Sequence, residues 1–222
     1  MAGFGDIKLN SLVKNDVFQK IGEYILWCCD KMSKNFENED NKIQNNENRL
    51  RDHLLECYLD DTINRKNNDM MKFHFMPECP ENYNNKDSKY IGRVDIKIVG
   101  QNEWFSNPKA AYFVECKRLD GNKKLNEEYV INGISRFVVN PPHYSSYYGK
   151  NYMLGFIIRE MEIDKNVKKI EDIQNQNINI QNKCGLIKHI NSIHHEYDCK
   201  YNMNHKVIEL KHMFTNFIKV VS

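Results

Sequence analysis

Asp95, Glu115 and Lys117 combine residue types and spacing that could do chemistry. Asp95 is the single acid in Arg93-Val94-Asp95-Ile96, and Glu115-Cys116-Lys117 follows twenty positions later, directly after Ala110-Ala111-Tyr112-Phe113-Val114. A run of that kind reads as a strand buried on both faces. Strand side chains alternate, so Glu115 and Lys117 project to one side, two residues apart. Charges at the end of such a strand are costly unless they are paired, solvated or bound to a metal. The competing account is a plain ion pair between Glu115 and Lys117 with Asp95 as a strand-end acid, and such a pair on a surface is worth little.

The elements that must position these residues follow from periodicity. From Asn15 to Phe36, Val17, Phe18, Ile21, Ile25, Leu26 and Cys29 recur at helical spacing. The polar, Asn-rich stretch 35–48 reads as a solvated linker. A second helix begins at about Asn46 with Leu50, Leu54, Leu55, Tyr58 and Leu59 as its apolar stripe and Glu47 in its first turn, where the helix dipole alone favours an acid. Lys72–Met76 alternates like a short strand, and ECPENYNNKDSK after it reads as a turn-rich loop. Tyr90–Asp120 then forms two strands joined by a long connector.

A polar turn with Lys123 and Lys124 leads into a helix from about Asn126 to Val139, stopped by Pro141 and Pro142. Tyr129, Gly133 and Arg136 share one side of it. A glycine there costs about 1 kcal/mol relative to alanine, which points to close packing or close approach of a ligand. Four tyrosines (Tyr144, Tyr147, Tyr148, Tyr152) precede a buried strand at Met153–Ile158. They read as a loop closing over the core with hydroxyls in water, with base stacking as the alternative. Residues 162–195 are polar, with a helix near Lys165–Gln176. The C-terminal HKVIELKHMFTNFIKVV fits both a strand and a helix, and periodicity leaves it open.

In this order of elements, Asp95 and Glu115-Cys116-Lys117 resemble the motif of the PD-(D/E)XK nuclease superfamily, with Val-Asp in place of Pro-Asp. Glu47 matches the acid that many members carry on the preceding core helix. The resemblance covers about Asn45 to Arg159, roughly half of the chain. It implies an α/β fold in which a mixed central β-sheet is flanked by helices, restriction-endonuclease-like. It gives a single domain over 1–222 whose core spans about 45–160, with an N-terminal helix and a C-terminal extension.

The implied activity is Mg²⁺- or Mn²⁺-dependent hydrolysis of phosphodiesters, in DNA rather than RNA. Mg²⁺ prefers carboxylate and carbonyl oxygens and uses few of them. Asp95, Glu115 and the Cys116 carbonyl would supply these, with Glu47 binding through water or holding a second ion. Lys117 would orient or help deprotonate the attacking water and offset developing charge. Arg118, Lys123, Lys124, Arg136 and Tyr129 are the candidate nucleic-acid contacts. Small members of this superfamily serve in bacterial anti-phage defence, which makes a homodimer or a partner protein of a defence system the expected company. The alternative is a catalytically inactive nucleic-acid-binding or assembly subunit on the same fold.

Composition neither adds to nor opposes this reading. In 222 residues, 41% are hydrophobic and 28% charged, as in an ordinary globular protein, and the net charge of +2 means that any nucleic-acid contact must concentrate its cations locally. No apolar run approaches the roughly 20 residues of a membrane span, so a cytoplasmic protein without membrane attachment is expected. Seven cysteines without CxxC spacing read as reduced thiols. Cys184, His189, His194, His195 and Cys199 form a rival, zinc-binding set, although their spacing matches no standard finger.

Overall fold

In the computed structural model, residues 7–101, 107, 109–177, 179–180, 185–190, 192–203 and 206–222 are described, with side chains from residue 15 onward. The protein is α/β, built on one mixed sheet of seven strands. The strands are β1 (Phe73–Asn84), β2 (Lys89–Gly100), β3 (Tyr112–Leu119), β4 (Lys150–Ile157), β5 (Ile187–Lys188), β6 (His195–Met203) and β7 (Lys206–Asn216). Their order is β1-β2-β3-β4-β7-β6-β5. β3, β4 and β7 run parallel at the centre, and antiparallel pairs flank them on both sides. β3 and β4 are buried along nearly their whole length, as expected of strands covered on both faces.

One face carries α1 (Ile7–Asn35) and α2 (Glu47–Leu54), the latter running on through a π-helical turn at Leu55–Leu59, with α3 (Thr62–Asn67) after it. Phe18, Ile21, Ile25, Leu50 and Leu54 from these helices meet Ile96, Val114, Leu154 and Met213 of the sheet. The other face carries α4 (Lys123–Tyr129), a π-helical turn at Val130–Ile134, α5 (Ser135–Val138) and α6 (Ile163–Gln176). There Tyr129, Ile134, Phe137 and Ile170 pack on Val94, Phe113, Met153 and Leu210.

Two sequence expectations change and one open choice is resolved. ECPENYNNKDSK is a turn only over residues 85–88, because β1 continues to Asn84 despite Pro80, pairing with β2 as far as Asn84↔Lys89. The ambiguous C-terminal segment is the strand β7, paired with β4 from Lys150↔Glu209 to Ile157↔Asn216. That pairing places the C-terminal extension inside the sheet, between β4 and β6, rather than outside a 45–160 core. Among the described residues no helix is long and apolar enough to cross a membrane.

The sheet forks between β2 and β3. They pair only over Ile96↔Val114, Lys97↔Phe113 and Ile98↔Tyr112, whereas β1 and β2 stay together from Phe73↔Gly100 to Asn84↔Lys89. Beyond Ile96, β1 and β2 leave the sheet as a two-stranded ribbon. Glu78 and Asn82 in β1 adopt φ of 45° and 52°, and the ladder skips both. The loop 140–149 braces the ribbon where Gly92 lies: a Cβ there would stand 2.6 Å from the His143 carbonyl oxygen and 2.9 Å from the Tyr144 ring. Gly92→Ala is therefore expected to displace that loop and cost about 1–3 kcal/mol by overpacking. Thermal unfolding checks it, and an unchanged melting temperature would contradict the bracing.

Candidate active site

The fork is where the sequence-selected residues meet. Past Ile96 the β3 amide of Cys116 has no backbone acceptor on β2, and the Asp95 carboxylate takes that place, accepting its N–H at 2.8 Å through Oδ2. Asp95 Oδ1 accepts from Arg51 Nη1 at 2.9 Å. Arg51, 3% exposed, also donates to Glu78 Oε1 at 2.9 Å and lies 2.7 Å from Asp52. These partners hold its guanidinium more basic than usual even though burial opposes the charge.

Glu47 arrives from the start of α2, where Asn46 caps the helix by accepting from the Arg49 amide at 3.2 Å. Its carboxylate reaches across to β3, with Oε1 2.8 Å from Lys117 Nζ and Oε2 accepting the Arg118 amide at 3.2 Å. Glu115 and Lys117 do share a face, and their charged groups are 2.9 Å apart. The Lys117 ammonium thus sits at the centre of the site. It donates to Glu47, to Glu115 and to the Cys116 carbonyl at 2.8 Å, with Asp95 Oδ2 at 3.9 Å. Burial pulls its pKa down, but Glu115, Asp95 and Glu47 together raise it above the ordinary value. Its stem lies along the π-helical turn, where a Cβ on Gly133 would be 3.4 Å from Lys117 Cγ and 2.7 Å from Met153 Cε. The mid-helix glycine thus answers to close packing.

Glu115 is 0% exposed. Burial first, and Asp95 second, push its pKa up to about 7, against the opposing pull of Lys117, Arg136 and a hydrogen bond from Tyr144. That bond, from the Tyr144 hydroxyl to Oε2, is 2.6 Å long, and Arg136 Nη1 stands 3.5 Å from Oε1 and 2.9 Å from the same hydroxyl. A hydrogen bond to a charged acceptor is worth about 1.5–3 kcal/mol, or about one to two pKa units. Tyr144→Phe is therefore expected to raise the Glu115 pKa by that amount, moving any Glu115-dependent binding or rate to higher pH. A pH profile unmoved by the variant would remove Tyr144 from the site.

The candidate contacts divide. Lys123 and Lys124 are exposed at the start of α4, Lys123 being 3.6 Å from Glu127. Arg118 lies at the mouth of the fork, its guanidinium donating to Asn45 at 2.6 and 2.8 Å. Arg136 turns inward to Glu115 and Tyr144 and braces the acid instead of reaching outward. Tyr129 is excluded as a contact: it is fully buried, with its hydroxyl 3.0 Å from His212 Nδ1. Of the four loop tyrosines, Tyr152 is buried and donates to the Phe18 carbonyl, Tyr148 stacks on Tyr112, and Tyr147 is exposed.

Arg51 and Tyr144 carry most of the bracing and were not selected as site residues. Arg51 left a signal, since it falls one helical turn after Glu47 on the same side of α2. Tyr144 left none, because only the fold brings its loop to Glu115.

Within the zinc set, Cys184 lies outside the described residues. His189 pairs with Asp198 at 2.7 Å, His194 is 3.7 Å from Asp30, and Cys199 is fully buried in β6. No group of three or more His, Cys, Asp or Glu side chains among the described residues is arranged to hold a metal as it stands. At the fork the Lys117 ammonium lies among the carboxylates. The oxygens themselves form a hard set of the kind Mg²⁺ prefers, carboxylates and one carbonyl around a single cationic point. Comparison with protein-family models, curated proteins and solved structures finds no match.

Proposed function

We propose that this chain is a metal-dependent nuclease, hydrolysing the phosphodiester bonds of DNA on a restriction-endonuclease-like fold. The observation that carries the reading is the convergence of Glu47, Glu115, the Cys116 carbonyl and Asp95 on one cationic centre at a fork in the sheet. Asp95, Glu115 and the Cys116 carbonyl would hold Mg²⁺ or Mn²⁺, with Glu47 binding through water or holding a second ion. The ion would supply Lewis-acid polarisation of a phosphoryl oxygen and a lower pKa for the attacking water.

The chain's own groups do the rest. Lys117 offsets charge developing on the phosphoryl oxygens and orients the attacking water. Arg51 and the Cys116 amide fix Asp95, while Tyr144 and Arg136 fix Glu115. Lys123 and Lys124 meet phosphates and carry no sequence information. By the same resemblance the protein would act in the bacterial cytoplasm in anti-phage defence, as a homodimer or with a partner of the defence system.

A second reading, a catalytically inactive nucleic-acid-binding subunit, is favoured by a different observation: each of the three acids already has a protein partner. Plasmid, single-stranded DNA and RNA incubated with Mg²⁺, Mn²⁺ or chelator, beside Lys117→Ala, separate the two. Metal-dependent cutting that the variant lacks supports the nuclease. Nucleic-acid binding with neither cutting nor Mn²⁺ binding leaves the subunit.

A further inference from the structure

We infer that the distal ribbon of β1 and β2 is a docking surface for an unpaired DNA strand, whose bases stack on Tyr83 and Tyr90. The inference rests on the nuclease reading and names how its substrate is held. Tyr83 and Tyr90 face each other directly across the ladder, with ring centroids 5.1 Å apart at 68°. They are 53% and 54% exposed, whereas Tyr129, Tyr144, Tyr152 and Tyr201 are all fully buried. The brace from the 140–149 loop ends at Gly92 and at the hydrogen bond from Asn82 to the Pro142 carbonyl. Beyond those contacts the aromatic pair and Ile91 stand bare.

The surrounding charge suits a phosphate backbone. Lys86 and Lys89 are exposed on this segment, as is Arg93, whose guanidinium lies 3.1 Å from Glu78. Asp87 is the one acid among residues 84–93, and it accepts from Asn84 Nδ2 at 2.8 Å. Lys89, Ile91 and Arg93 alternate with Tyr90 along β2 and so project from the opposite face of the ribbon, while Lys86 lies in the turn at its tip. Bases in a duplex present only their edges in the grooves, while unpaired bases offer π-faces, and stacking on those faces is indifferent to sequence. Tyr90 and Asp95 are five residues apart on one strand, about 17 Å of extended chain. A DNA strand stacked at the tip therefore leads to the fork.

The test is fluorescence anisotropy with labelled oligo(dT), its ribose counterpart oligo(U), and a mixed-sequence duplex of equal length, all in chelator so that no cleavage occurs. The full chain is compared with Tyr83→Ala/Tyr90→Ala and with Tyr83→Phe/Tyr90→Phe. The alanine pair is expected to weaken oligo(dT) binding by about tenfold or more while duplex binding holds, and the phenylalanine pair to stay within about twofold of the parent. Wild-type affinity for oligo(dT) in the alanine pair, or equal loss on duplex and single strand, would overturn the stacking surface. Tighter binding of oligo(U) than oligo(dT) by the parent would overturn its assignment to DNA. If the parent binds none of the three, the docking surface is overturned, while the nuclease reading stands or falls separately on metal-dependent cutting.

Discussion

Lys117→Ala is expected to abolish metal-dependent cleavage and, at pH 8, to lower folding stability by about 3–5 kcal/mol, the cost of stranding a buried charge. Glu115 has no exposure, and burial pushes its pKa up to about 7 even with the ammonium 2.9 Å away. The sign with pH follows. Its ordinary value is 4.5, so the folded protein holds a proton that the unfolded chain has released between 4.5 and about 7. Stability from this group is therefore greatest below the ordinary value and falls as pH rises through that window. Removing Lys117 pushes the window higher, so the variant's deficit should shrink on acidification to pH 5.5. Lys117→Ala/Glu115→Gln should recover most of the stability but none of the cleavage, because the two residues act as one unit. Urea unfolding at both pH values measures this, and a Lys117→Ala protein as stable as the parent at pH 8 would refute the buried pair.

Asp95 should separate structure from ion binding. Asp95→Ala strands both the Cys116 amide and one of the Arg51 contacts, and should cost about 3–5 kcal/mol with loss of Mn²⁺ binding. Asp95→Asn keeps an acceptor for the amide but not the charge. It should fold with a smaller deficit, about 1–2 kcal/mol, and still lose Mn²⁺ binding and cleavage. Calorimetric titration with Mn²⁺ and amide exchange at Cys116 report the two roles separately. Mn²⁺ bound by Asp95→Ala as by the parent would move the ion site elsewhere.

The site was more legible in the sequence than its supports were. Glu115-x-Lys117 could be placed on one face because strand alternation is short-range physics, and the apolar run before it announced a central strand. Glu47 was reachable because an Asn cap and a leucine stripe defined the start of α2. What failed were features that depend on partners. Pro80 read as a loop residue because a proline lacks an N–H, yet β1 pairs on one side only and tolerates it as well as Pro77. Residues 206–216 could not be assigned by period because a strand buried on both faces loses its alternation. β6 begins where the polar stretch 162–195 ends, with Asp198 and Lys200 between its core positions Tyr197, Cys199 and Tyr201 masking its alternation. Arg136 read as a phosphate contact because nothing in sequence reveals that Glu115 lies 3.5 Å away.

The same prolines limit how this molecule can meet a second copy of itself. β1 and β5 are the two ends of the sheet. Along β1, Pro77 and Pro80 withhold amides, and the positive φ at Glu78 and Asn82 breaks the regular rhythm an incoming strand would need. β5 is two residues long, too short to template anything. The β1 end is thus blunted against strand addition, which works against edge-to-edge aggregation there, whereas β5 covers only Tyr197 and Asp198 of β6.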